Sequence, residues 1–158
     1  MGGGGRKMAQ RLFDKLTLEI QRFQNKEFLK GAMAVAALAA RADGEVSLAR
    51  RYRVDAIISR LTELHIYDPP KAIEIFDEFV RAIDADPITA HAILHAKVQR
   101  FAGKPKRART LMRLAHAVIT SDGTPTHREW REFTWICGRL NLDPAVAAAD
   151  LTQEVSVA

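Results

Sequence analysis

From Ala32 to Ala40 the chain reads AMAVAALAA, nine residues without a charge or a polar side chain, and six of them are alanine. A helix of that composition is apolar over most of its circumference, so it has to be enclosed by neighbours. Alanine also lets those neighbours approach closely. The segment therefore predicts a central, buried helix from about Asn25, its N-cap, to Arg41, around which the rest of the chain must be arranged.

The flanking sequence supplies helices. After a flexible glycine run at residues 2–5, Leu12, Phe13, Leu16, Ile20 and Phe23 fall at helical spacing and predict an amphipathic helix over about 8–24. Asp43-Gly44 ends the central helix, since glycine readily takes the left-handed conformation at a helix end. Ser47 caps a helix with Val54, Ile57, Ile58, Leu61 and Leu64 as its apolar positions. Asp68-Pro69-Pro70 starts the next, carrying Ile73, Ile75, Phe76, Phe79, Val80 and Ile83, because proline suits the first helical turn. Asp86-Pro87 opens one that runs to about Phe101. Gly103-Lys104-Pro105 separates it from a helix with Leu111, Leu114, Ala115, Val118 and Ile119. Asp122-Gly123 stops that helix, and Pro125 or Thr126 starts one carrying Trp130, Phe133, Ile136, Cys137 and Leu140. Asp143-Pro144 begins a short last helix. No segment alternates with period two and β-branched residues do not cluster, so the expected fold is all-α, a compact bundle of seven or eight helices.

The punctuation repeats. Ala42-Asp43-Gly44 and Ser121-Asp122-Gly123 each follow an apolar helix and precede a charged one, and each unit closes on Asp-Pro, at Asp68-Pro69 and Asp143-Pro144. Two such units can pack face to face as pseudo-symmetric halves. The alternative is that Asp-Gly and Asp-Pro are simply common helix punctuation.

At 158 residues the chain suits a single domain. The expected division is a glycine-rich start with an amphipathic arm over 1–24, a helical domain over 25–150, and a tail over 151–158. With 47% apolar and 27% charged residues it falls outside the disordered class. No apolar run approaches the roughly 18 residues of a membrane span. Residues 1–6 lack the apolar segment of a secretory leader, and Cys137 as sole cysteine excludes an internal disulfide and a cysteine-based zinc site. A soluble, cytoplasmic protein is expected.

The net charge of +5 is unevenly spread. Residues 97–113 carry Lys97, Arg100, Lys104, Lys106, Arg107, Arg109 and Arg113 with no acid, whereas seven acids between Glu63 and Asp86 face only Lys71 and Arg81. One part of the surface should attract anions and another cations. The basic stretch suits an acidic partner or anionic headgroups. Nucleic acid is disfavoured, because Phe101 is the stretch's single aromatic and no recognition-helix signature accompanies it.

Few residues point to chemistry. Asp122-Gly123 with Glu129 reproduces the second half of a calcium loop, but Val118 and Thr120 stand where the earlier oxygen ligands belong. This leaves at best a partial divalent-cation site. At the first corner the distal position is Arg50, placed to neutralise Asp43. His91 and His95 share a helical face at a spacing that can chelate a transition metal, but a third ligand is needed, and no HExxH motif is present. They read more simply as exposed or interhelical histidines. His116 reads as a core histidine and Cys137 as a structural thiol. There is no phosphate loop, nucleophile elbow or acid–base pair, so no catalysis is expected.

In their order and spacing, Phe23-Gln24-Asn25-Lys26-Glu27-Phe28, the alanine-rich helix into Ala42-Asp43-Gly44-Glu45-Val46-Ser47, Ile66-Tyr67-Asp68, Ile83-Asp84-Ala85-Asp86, Ser121-Asp122-Gly123 with Glu129, and Leu140-Asn141-Leu142-Asp143-Pro144 resemble the TerB tellurite-resistance family. The resemblance covers about residues 20–148. It implies a helical fold of two similar halves, no enzymatic activity, protein partners of a Ter-type system, and a cytoplasmic place that can lie near the inner membrane. It also implies a calcium-like divalent cation at Asp43 and Glu45 in the first loop and Asp122 and Glu129 in the second, with Asp68, Asp84, Asp86 and Asp143 on a nearby acidic surface. The sequence departs from the family's pattern where acids are expected: Ala49, Arg50 and Arg51 follow the first loop, and Thr126, His127 and Arg128 follow the second.

Two functions follow as expectations. One is a non-catalytic stress-resistance module that presents an acidic and a basic face. The other is a helical adaptor that meets an anionic membrane surface or nucleic acid through its basic face.

Overall fold

The computed structural model describes residues 10, 11, 14–16, 26–44, 46–63, 69–147, 149 and 151, and these contain helices, turns and no strand. Six long helices occur among them: α1 (Lys26–Ala40), α2 (Leu48–Glu63), α3 (Pro69–Ala85), α4 (Pro87–Gln99), α5 (Pro105–Ile119) and α6 (His127–Arg139). A short helical stretch at 144–147 follows, as Asp143-Pro144 predicts. Most of the expected arm over 8–24 lies outside the described residues, although Leu16 is buried in the core.

The alanine-rich helix is central. Every residue of α1 from Gly31 to Ala40 is buried, as are Phe28 and Leu29, and α3, α4 and α5 pack around it. At Gly31 the edge of the Phe101 ring lies over the helix backbone. A β-carbon there would sit 2.7 Å from Phe101 Cε2. Phe101 in turn packs edge-on against Phe28 with ring centroids 5.4 Å apart.

Local signals set the helix boundaries. Asp86 caps α4 by accepting a hydrogen bond from the Thr89 amide at 3.2 Å, and Pro87 occupies the first turn. Ser47 Oγ accepts from the Arg50 amide at 3.0 Å and caps α2. Gly44 and Gly123 both adopt positive φ, +97° and +111°, as each aspartyl-glycyl corner requires.

The predicted apolar stripes of α2, α3, α5 and α6 face the interior, through residues such as Val54, Ile58, Phe76, Leu111, Val118, Phe133 and Ile136. Two assignments need correcting. Trp130 is partly exposed and stacks on Phe133 at 5.1 Å, covering the core from outside. Arg113, assigned to the basic surface, is buried with only 7% exposure. Its position on α5 lies among core residues, and a long aliphatic stem can occupy apolar surroundings. Among the described residues no helix is long and apolar enough to cross a membrane.

Candidate functional site

The two aspartyl-glycyl corners meet. Arg50, in the first turn of α2, reaches across to the second corner. Its Nε donates to Asp122 Oδ2 at 3.1 Å, and its Nη1 pairs with Glu129 Oε2. Arg53, one turn further on, places its Nε 3.4 Å from Asp122 Oδ1. The return contact comes from Thr126, the N-cap of α6, whose hydroxyl donates to Asp43 Oδ1 at the first corner over 2.9 Å. Each corner's aspartate is thus held by the helix that follows the other corner.

Arg50 is not the neutraliser of Asp43 that sequence proximity indicates. It serves Asp122 and Glu129, and Thr126 serves Asp43.

Glu129 has a second duty. Its Oε1 accepts from the Thr126 amide at 2.9 Å, while Thr126 Oγ1 accepts from the Glu129 amide at 3.2 Å, a capping box that fixes the start of α6. Arg50 is 5% exposed and Glu129 2% exposed, so this is a buried ion pair with a half-exposed branch to Asp122. Burying either charge alone would be costly, and a bidentate guanidinium is the side chain best able to satisfy two carboxylates together.

A calcium-like ion requires six to eight oxygens with free lone pairs. Here both Asp122 oxygens face guanidinium nitrogens, both Glu129 oxygens are engaged, and Asp43 Oδ1 accepts from Thr126. The residues present fit an arginine, and they do not fit a divalent cation alongside it. Glu45, the other acid expected at the first corner, lies outside the described residues.

The acids expected on one surface have local duties. Asp84 pairs with Arg41, and Asp143 accepts from the Ala145 amide at 2.9 Å. Asp86 caps α4, and its hydrogen bonds to the Thr89 side chain and amide hold its carboxyl below the usual range. Asp68 lies outside the described residues.

The basic stretch is also differentiated. Arg100 pairs with Glu27 at 2.6 Å, and the Lys97 ammonium lies over the Phe79 ring, 5.9 Å from its centroid. Lys104, Lys106 and Arg109 are exposed and Arg107 half-buried, and residues 104–107 form the start of α5, with Lys104 at its N-cap. That turn has no acid and no side-chain cap, so cations stand at the positive end of the helix dipole, where anions are favoured.

Sequence reasoning missed the Arg53 contact and the roles of Thr126. The capping-box pattern Thr-x-x-Glu at 126–129 was a readable signal for the second. Nothing local signals the first.

A family model described as "Tellurite resistance protein TerB" matches residues 30–151. A curated relative named "Tellurium resistance protein TerB", from Alcaligenes sp, is 32% identical over 73 residues. That alignment covers 46% of this chain and 60% of the relative, so the chain spans less than two thirds of the curated protein it matches. No solved structure matches.

Proposed function

The chain belongs to the TerB tellurite-resistance family, and from that premise we propose that it serves a tellurite-resistance system as a non-catalytic docking module for a negatively charged protein partner. The observation that carries this reading is the basic turn at Lys104–Arg107. Its lysines stand exposed at the uncapped, electropositive end of α5, an arrangement that costs the isolated molecule self-repulsion and is relieved by an acidic partner. The corner acids support the same reading by default, because Arg50, Arg53 and Thr126 already satisfy them from within. The family name supplies the biological setting, and a cytoplasmic place close to the inner membrane agrees with it.

The test is a double charge reversal, Lys104→Glu with Lys106→Glu, in a bacterial host whose tellurite resistance depends on this chain. Resistance should fall sharply while the helical circular dichroism and melting temperature stay unchanged. Full resistance in the variant would refute the docking role. Co-sedimentation with anionic vesicles, lost equally in the variant while resistance persists, would transfer the basic turn to a membrane role instead.

A further inference from the structure

Apart from the corners, the packing of α4 and α6 brings a carboxylate to two histidines from which it lies far in sequence. His91 and His95 lie one turn apart on α4, with ring centroids 4.2 Å apart. Glu132 of α6 sits between them. His91 Nε2 is 2.8 Å from Glu132 Oε1, and His95 Nε2 is 3.1 Å from Glu132 Oε2. One donor atom from each residue lies within 4.8 Å of both others. Glu132 thus provides the third ligand that the two histidines lack in sequence.

We propose that His91, His95 and Glu132 form an exchangeable site for zinc. The donor set decides the class of ion. Two imidazole nitrogens and one carboxylate suit a borderline ion such as zinc, whereas calcium or magnesium would require a shell of oxygens that three side chains of this kind do not supply. Tetrahedral zinc with ligands at about 2.0–2.2 Å sets its donors roughly 3.3–3.5 Å apart. The His–Glu spacings of 2.8 and 3.1 Å fall roughly 0.2–0.7 Å short of that, so side-chain rotations that part the donors admit the ion.

Burial argues in the same direction. Glu132 is a carboxylate inside the protein and His95 is 3% exposed, a combination that is costly unless the charge is compensated. A dication compensates it directly. His91 is half-exposed and gives the ion a route from solvent, while Trp135 packs edge-on against its ring at 5.5 Å and walls one side. Three protein ligands leave a fourth position for water.

The support behind the ligands limits the affinity. His95 Nδ1 is buried with no hydrogen-bond partner, whereas zinc-bound histidines ordinarily donate this second N–H to an acceptor. Without that support the ion should exchange, as in a sensing or buffering site, and the fold should not depend on it.

The site is tested on the full chain, stripped with a chelator and titrated with zinc chloride in a calorimeter, with cobalt as a spectroscopic substitute. One equivalent should bind, shifting the ring resonances of His91 and His95, and cobalt should give the visible absorption of a low-coordinate nitrogen–oxygen site. His91→Ala, at a half-exposed position, should keep the fold and weaken binding by at least the roughly 10–100-fold that loss of a supporting group costs. Glu132→Gln should do the same, and Lys104→Glu or His127→Gln should leave binding intact. Absence of one-equivalent binding at millimolar zinc, or full affinity in folded His91→Ala, would overturn the assignment. Failure of the docking experiment above would leave this one unaffected.

Discussion

Arg50 Nε and Asp122 Oδ2 lie 3.1 Å apart although 72 positions separate the two residues in sequence. With the Glu129 contact, this pair ties the start of α2 to the second corner and to the N-terminus of α6. The guanidinium stands between the two carboxylates that the family resemblance assigns to a cation. In this chain a permanent side-chain charge lies against both of them.

Arg50→Ala should therefore leave Glu129 as an uncompensated buried charge and destabilise the fold by about 3–5 kcal/mol. Urea denaturation measures it. Arg50→Lys should recover only part of the loss, because an ammonium cannot span two carboxylates as a planar fork does. Arg50→Ala with Glu129→Ala should be less damaging than the sum of the single changes. A single-variant loss below about 1 kcal/mol, the range of an exposed pair, would show that the contact is not buried in solution.

Gly31→Ala tests the packing of the central helix. Alanine ordinarily gains about 0.5–1 kcal/mol over glycine inside a helix. Here the new methyl would collide with Phe101, whose ring is itself buried and braced by Phe28. The expected net effect is a loss of about 1–3 kcal/mol, typical of an overfilled core. Thermal melts compare the variant with Gly31→Ala, Phe101→Leu, which should regain part of the loss. An increase in melting temperature for the single variant would show that the ring has room to move.

Cys137 should be chemically silent in the folded protein. It is fully buried, and burial, with a contribution from the Asp143 carboxylate, pushes its thiol up to about 12. Thiolate is the reactive form, so an aromatic disulfide reagent at pH 8 should label the native protein negligibly and the urea-unfolded protein stoichiometrically. Rapid labelling without denaturant would mean that α6 opens locally.

What the sequence conveyed follows the range over which its signals act. Helix caps are local, so Ser47, Asp86 and Pro87 marked their boundaries correctly. The alanine run identified the central helix because its composition leaves no solvent-facing side. The sequence points Arg50 to Asp43, and the fold gives it to Asp122, because nearness along the chain is the only nearness a single sequence displays. Glu132 escaped notice beside His91 and His95 for the same reason: 41 and 37 positions intervene, and only the packing of α4 on α6 closes the distance. Arg113 looked like one more charge in a basic run until the turn of α5 carried it inward.

His116 makes a prediction about pH. It lies on α5 with its ring edge-on to Phe133, centroids 5.8 Å apart, and burial lowers its pKa below the ordinary 6.5. The folded protein therefore binds this proton more weakly than the unfolded chain does. Its contribution to stability is fully present above about pH 6.5 and is lost as the pH falls from there through the lower folded-state value. An NMR titration should place the His116 midpoint below 6.5, and the urea midpoint should fall between pH 7.5 and 5.5. His116→Leu, which keeps the apolar contact with Phe133 and removes the titrating group, should reduce that fall. A His116 midpoint at or above 6.5 would show that the ring reaches water, and that α5 packs less closely against α6 than the ring contact requires.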